Sequence, residues 1–271
     1  MQNAFLGPVI GTLKQYHDMR FNKGYDETKP LSLICPWLTK KPVSENTLMS
    51  NLSTTYKILG PGMILLKHYI SLKDQVDIVN ICEKWGVGPG GFYIPRYENG
   101  EQLRLRMMCF GRNWDPVTRY EKHVRSDGSE PPPLPSELTS LAETTIQDAQ
   151  AHLDELPSMH PDICLVNFYS PIYGRLGLHQ DSDESSDSLQ RGSPVVSISI
   201  GDSAEFLYGH TSDESKLNSV YLQSGDVLIF GGKSRLIFHG VNQVFPYTSP
   251  LPLLQQTALR PGRLNLTFRQ V

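Results

Sequence analysis

The spacing of apolar residues changes character near the middle of this chain. Leu72, Val76, Val79 and Cys82 recur at helical spacing, and Leu138, Leu141, Thr145, Ala149 and Leu153 do so again. Ser71 and Asp74 form a capping-box pattern before the first helix, with Asp where Glu is usual. Gly86 is expected to close that helix as a residue able to take positive φ. Pro157 and Pro161 stop the second, predicted over Ser136–Leu156. Beyond Pro161 the period becomes two. Cys164–Tyr169, Arg175–His179, Val195–Ile200, Ala204–Tyr208, Ser219–Leu222, Asp226–Phe230, Leu236–His239 and Leu264–Phe268 read as short strands. Val195–Ile200 alternates as a half-buried strand, and Ser224-Gly225-Asp226 reads as a hairpin-type turn.

Upstream, Met63–Tyr69 is one more strand, while glycines 86–91 lead into Phe92–Tyr97. Residues 98–133 read as strands and long loops, and 181–194 and 242–260 as loops. Residues 1–57, rich in Pro, Lys, Ser and Thr, form an expected N-terminal arm. Residues 58–160 carry the helices and 161–271 the strands of a core. Two helices followed by about eight strands predict an α+β, mainly β fold. Its core is a double-sheet jelly roll, with helices packed outside it.

Composition narrows the class. The 271 residues are 39% hydrophobic and 20% charged, which suits a globular domain with a sizeable core. No run approaches the roughly 20 apolar residues that span a bilayer, so no membrane is expected. The start carries no basic region followed by an apolar core, so no secretory signal is expected. Cys35, Cys82, Cys109 and Cys164 are scattered, which excludes a Cys-x-x-Cys zinc or dithiol site and favours a reducing intracellular compartment. Nucleus or cytoplasm is expected, or an organelle had a presequence been removed. The net charge of −3 is unevenly spread: residues 96–125 hold seven basic and four acidic side chains, and residues 1–60 the same numbers. Either segment suits a nucleic-acid groove, and solvated surface explains it equally well.

The candidate chemistry lies in His179-Gln180-Asp181, with His239 far downstream. Residues i and i+2 of a strand share a face, so His179 and Asp181 can grip one ion, with His239 brought in by sheet pairing. Two imidazoles and one carboxylate suit Fe(II) and leave positions open on an octahedral ion. Arg263 and Arg269 follow, able to anchor an acidic co-substrate through bidentate contacts. Taken alone, His-x-Asp is common by chance, as one surface His beside one loop Asp.

The surroundings decide. Asn167-Phe168-Tyr169 precedes Leu178-His179-Gln180-Asp181-Ser182-Asp183-Glu184 and Pro194-Val195-Val196-Ser197-Ile198-Ser199. Ser224-Gly225-Asp226-Val227, Gly231-Gly232-Lys233-Ser234-Arg235-Leu236, Phe238-His239-Gly240 and Arg263-Leu264-Asn265-Leu266-Thr267-Phe268-Arg269 follow in order. Together they resemble the AlkB family of Fe(II)/2-oxoglutarate dioxygenases, clearly from about residue 160 to 271 and more weakly back to Gly90-Gly91.

The resemblance implies a double-stranded β-helix core that binds Fe(II) through His179, Asp181 and His239. It places Arg263 on the distal carboxylate of 2-oxoglutarate and Arg269 near the end that chelates iron. Asn167, Tyr169 and Asn265 match positions that hydrogen-bond this co-substrate. Asp183 matches a residue that reaches the amino edge of the target base, and Arg235 one that braces the ligand strand or the acidic loop. With O₂ as oxidant, the implied reaction is oxidative demethylation of an N-alkylated base in DNA or RNA by a monomer, releasing formaldehyde, succinate and CO₂. The chain departs from the family in its nucleotide-recognition lid. Gly100–Met108 has no aromatic to stack on a flipped base, leaving Arg104 and Arg106 as grips. Phe92, Tyr93, Tyr97, Phe110 and Trp114 flank it as substitutes. The rival reading is a 2-oxoglutarate oxygenase acting on a protein or small molecule, separated by whether the 96–125 arginines face the iron. A member that keeps the fold without activity is disfavoured by Asp181, His239 and Arg263.

Overall fold

The computed structural model describes residues 31–36, 38, 40 and 54–271. The arm expected over 1–57 lies mostly outside these residues. Its inner boundary moves, because Thr55–Gly60 is already the first strand, β1. Leu31, Leu33 and Cys35 are also buried, with Ile34 bridged to Leu259. Chain order continues through β2 (Met63–Lys67), α1 (Leu72–Gly86), β3 (Arg106–Phe110), α2 (Ser136–Gln150), β4 (Ile163–Tyr169) and β5 (Leu176–His179). It goes on through α3 (Ser186–Arg191), β6 (Val195–Gly201), β7 (Ser203–Gly209), β8 (Asn218–Leu222) and β9 (Val227–Phe230). It ends with β10 (Phe238–Phe245), α4 (Leu251–Thr257) and β11 (Arg263–Arg269).

Two antiparallel sheets result. The larger runs β1-β2-β9-β6-β11-β4-β3 and the smaller β5-β10-β7-β8. The pleat sends alternate residues of the large sheet to opposite faces. Cys164, Val166, Phe168, Leu264, Leu266 and Phe268 pack with Ile78, Val79 and Cys82 of α1 and Leu138, Ala142 and Ile146 of α2. The other face packs Leu165, Tyr169, Leu228 and Phe230 against Phe206, Leu222, Val241 and Val244 of the small sheet. Removing such side chains from water stabilises the fold by about 1.5–3 kcal/mol each. The expected jelly-roll core with outer helices is the architecture found.

Several local expectations change. Ser71 caps α1 as read, accepting from the Asp74 amide at 3.2 Å. Gly86, however, needs no positive φ: a Cβ there would lie 2.6 Å from the Phe92 ring, so close packing requires the glycine. The second helix stops at Gln150, although Leu153 and Leu156 stay buried in the turns beyond. Ser224-Gly225-Asp226 joins strands of different sheets and is not a hairpin. Gly225 takes φ +88° there, and the Ser224 hydroxyl donates to Gln75 at 2.6 Å. The strand around His239 begins at Phe238 and continues to Phe245, so the expected loop 242–260 contains its end and α4. The 181–194 loop likewise contains α3. Phe92–Tyr97 contributes only isolated bridges.

One buried carboxylate sets the approach to β11. Asp202 accepts the Thr248 and Ser249 amides (3.1 and 3.0 Å), the Ser249 hydroxyl (2.6 Å) and the Gly262 amide (3.0 Å). Asp202→Ala would leave several donors without an acceptor and should lower stability by about 3 kcal/mol. A urea midpoint unchanged from the parent protein would contradict this role.

Candidate metal centre and co-substrate pocket

His179 ends β5 and His239 lies near the start of β10, and the two are cross-strand partners. Asp181 stands just beyond β5, so the ligand pair is placed by a strand end and the turn after it, not by strand alternation. One ligand atom from each of the three residues lies within 4.8 Å of the others. His179 Nε2 is 3.6 Å from Asp181 Oδ1, and His239 Nε2 is 3.7 Å from Oδ2. Both imidazoles face the Gly177 and Ile237 carbonyls through Nδ1 (2.9 and 3.2 Å), which leaves both Nε2 atoms for a metal.

Electrostatics prepares the site for a cation. Burial alone would raise the Asp181 carboxyl, but Arg269 and the two imidazoles hold it well below the carboxylate range. Burial and the neighbouring His179 push His239 down to about 4, so it is neutral and can ligate at pH 7. Burial also opposes charge on His179, yet Asp181 outweighs it and the net shift is upward. Asp181 Oδ2 is buried without a hydrogen-bond partner among the described residues. A divalent ion at the convergence of the three side chains would satisfy it, so the residues fit Fe(II).

The inward face of β11 carries Arg263, Asn265, Thr267 and Arg269 beside Asn167 and Tyr169 of β4, its antiparallel neighbour. Arg263 is 1% exposed. Its Nη2 donates to Ser199 Oγ at 3.0 Å, and its guanidinium lies 5.3 Å from the Tyr169 ring centre. Its Nε and Nη1 have no partner among the described residues, nor does Asn167 Oδ1. Two orphaned donors on a buried cation fit a bound carboxylate, so these residues fit 2-oxoglutarate. Asn265 is committed to Ser197 Oγ (2.8 Å) and the Ile198 carbonyl (3.0 Å) through Nδ2. Arg269 is joined to Asp181 at 2.7 Å, so it braces the metal carboxylate. One cavity is lined by all three metal ligands, Asn167, Tyr169, Arg263, Asn265 and Arg269.

Sequence spacing missed part of this pocket. The strand expected to be half-buried, β6, is buried on both faces, and Ser197 and Ser199 turn toward the cavity rather than solvent. Phe206 and Phe230 flank His239 (ring centres 5.6 and 5.0 Å), which alternation alone does not distinguish from ordinary core. The largest omission is Glu184, wholly buried between Arg235 (2.8 Å) and Arg269 (3.3 Å). Its place in an acidic run made it look solvated.

The substrate side changes most. Arg106 is a buried residue of β3 opposite Phe168, not a lid residue, because the strand begins inside the expected lid. Arg104 is exposed and, with Arg175, lines a second cavity of about 460 Å³. Leu176, Gly240 and Val241 line both cavities. Arg112 and Arg125 pair with Asp162 (3.9 Å) and Asp127 (2.6 Å). Arg119 approaches Asp183 at 3.5 Å. The 96–125 basic run is therefore dispersed. Of the flanking aromatics, Phe92 and Phe110 are core and Tyr93 lies under Arg125 at 4.3 Å. Trp114 reaches the acidic loop, its indole N–H donating to Asp183 at 2.9 Å.

Residues 62–269 match the model of the 2OG-Fe(II) oxygenase superfamily. DNA N(6)-methyladenine demethylase ALKBH1C of Arabidopsis thaliana is 54% identical over 224 residues, 79% of this chain and 49% of that protein. The alpha-ketoglutarate-dependent dioxygenase AlkB of Salmonella typhimurium is 30% identical over 220 residues, covering 78% and 91%. The solved structure of OsALKBH1 superposes with a TM-score of 0.77 at 52% identity, over 80% of this chain and all of that one. The chain spans about half the length of the Arabidopsis relatives it matches.

Proposed function

Because this chain belongs to the AlkB family of the 2OG-Fe(II) oxygenase superfamily, we propose that it oxidatively demethylates N-methylated bases in nucleic acid. The observation that carries this reading is the Trp114–Asp183 pair at the metal cluster's side, two residues beyond a ligand. Asp183 uses Oδ2 for Trp114 and Arg119, which leaves Oδ1 to accept an exocyclic amino group. The Arg119 guanidinium lies over the indole, 5.7 Å from the ring centre, and a flipped base would stack against this cation–π pair. Relatives named for N(6)-methyladenine in DNA, and a more distant one named a tRNA demethylase, support a nucleic-acid substrate. N(6)-methyladenine is the first base to test.

His179, Asp181 and His239 would hold Fe(II), and Arg263 with its neighbours would hold 2-oxoglutarate. Bound together, these groups supply activation of O₂ for hydroxylation of the N-methyl carbon. The chain's own residues do the rest. Arg263 anchors the distal carboxylate, Arg269 fixes the metal carboxylate, and Phe206 and Phe230 exclude water beside His239. Four buried thiols with no disulfide suit an intracellular setting, which we infer for this enzyme. Among the described residues no helix is long and apolar enough to cross a membrane.

Formaldehyde and succinate release from a panel of methylated single- and double-stranded oligonucleotides tests the reading; turnover of none of them would refute it. Single strands should be preferred, since the 100–108 stretch exposes no apolar side chain to wedge open a duplex and unpairing costs a few kcal/mol. Arg104 and Arg175, exposed at the second cavity, are the phosphate grips. Arg104→Ala combined with Arg175→Ala should flatten the salt dependence of single-strand binding by about 1.4 in log–log slope, at ~0.7 per phosphate. An unchanged slope, or faster turnover of matched duplex, would contradict these assignments.

A further inference from the structure

Asp181 is followed by two acids, Asp183 and Glu184, each of which is met by a residue of one small loop. Asp115 and Arg119 form a bridge (N···O 3.3 and 2.9 Å), which the Asp115 carboxylate closes by accepting the Val117 and Thr118 amides at 2.8 and 2.9 Å. The residues flanking that bridge, Trp114 and Tyr120, face the two acids in turn. Trp114 donates to Asp183, and Tyr120 donates to Glu184 at 3.4 Å. Glu184 is fully buried and joins two arginines that grip Asp181 at different points. Arg235 donates to the Asp181 backbone carbonyl, and Arg269 to its carboxylate. Arg269 also contacts the Tyr120 hydroxyl at 3.3 Å.

The charges explain why Glu184 is needed. Two buried guanidinium groups around one carboxylate would leave a net positive site that repels a divalent cation. With Glu184 the four side chains are neutral in sum, and Asp181 Oδ2 stays unpartnered for a metal. The 114–120 loop touches this network through the Tyr120 hydroxyl, which meets both Glu184 and Arg269.

We propose that Glu184 is a positioning residue that keeps Asp181 competent for metal and, through Tyr120, couples metal binding to the order of the substrate-side loop. This goes beyond the demethylase reading and rests only on the metal assignment of His179, Asp181 and His239. Linkage makes the coupling reciprocal: a metal that fixes Asp181 orders Tyr120, and an ordered loop strengthens metal binding.

The test uses Mn(II) as the probe, with no nucleic acid. Calorimetric titration of Glu184→Gln should show Mn(II) binding weakened roughly 10- to 100-fold in folded protein, the range for second-layer partners of metal ligands. Tyr120→Phe keeps every charge and removes only the coupling, so its Mn(II) affinity should fall by no more than the factor by which Mn(II) slows exchange in the parent loop, and by less than in Glu184→Gln. Amide exchange across residues 114–120 supplies the second readout. Mn(II) should slow it in the parent protein and leave it unchanged in Tyr120→Phe. Parent-like Mn(II) affinity in Glu184→Gln, or metal-induced protection that persists in Tyr120→Phe, would overturn the proposal. Should Glu184→Gln not fold, the Tyr120→Phe exchange result decides alone. A parent protein that binds no Mn(II) would remove the metal assignment itself, whereas failure to turn over oligonucleotides would leave this coupling standing.

Discussion

His179→Ala, Asp181→Ala and His239→Ala should each reduce 2-oxoglutarate-dependent succinate formation to below about a hundredth of the parent rate. Each removes one of three protein ligands, and an ion held by two is readily lost. Their effects on the fold should differ, because the three side chains do different structural work. The His179 side chain is 33% exposed, so its loss should cost little stability. His239 is buried against Phe206 and Phe230, and truncation leaves a void worth roughly 2–3 kcal/mol. Asp181→Ala strips the 2.7 Å partner from buried Arg269, which among the described residues retains Glu184 and Tyr120. About 3 kcal/mol is expected there, near the low end for a broken buried pair. Succinate assays alongside urea melts separate the two effects. More than a tenth of parent activity in Asp181→Ala would sink the metal assignment.

What the sequence disclosed follows from where each signal resides. His179 and Asp181 are neighbours in the chain, and the long-range partner His239 sits in a periodic strand whose pairing brings it across. The period-two segments after Pro161 likewise located β4 to β11, since alternation records the pleat directly. Segments whose partners lie in another layer were harder to read. Ser197 and Ser199 look like a solvated face until the small sheet covers them. Gly225 has the chemistry of a hairpin turn, but the strands on either side pair in different sheets. The resemblance of Gly100–Met108 to a nucleotide-recognition lid makes Arg106 a candidate grip, but β3 begins there and buries it. Glu184 is hidden differently, in a run of acids that looks like a solvated loop although its side chain is buried. Its role exists only once Arg235 and Arg269, from two distant segments, converge on it.

Arg263→Ala should weaken 2-oxoglutarate binding by about 2–5 kcal/mol, roughly 30-fold to several thousand-fold in Kd. The geometry also predicts the behaviour of the variant without co-substrate. A guanidinium that is 1% exposed, with two nitrogens lacking partners among the described residues, is an unfavourable group to bury. Burial accordingly lowers the Arg263 pKa. Its retention costs the empty protein stability that carboxylate binding restores, so Arg263→Ala alone should be no less stable than its parent. What it should lose is stabilisation by ligand. At 100 times the parent Kd, 2-oxoglutarate with Mn(II) adds about 2.7 kcal/mol to the parent protein; a 30-fold weaker variant gains under about 1 kcal/mol at the same concentration. Arg263→Lys should recover only part of this, since an ammonium keeps the charge but not the planar fork. Thermal melts with and without 2-oxoglutarate, beside direct titration, read both quantities. An Arg263→Ala variant that is destabilised by several kcal/mol yet binds 2-oxoglutarate like its parent would show that this arginine is a structural residue. Another cation, with Arg269 the nearest candidate on the same strand face, would then hold the distal carboxylate.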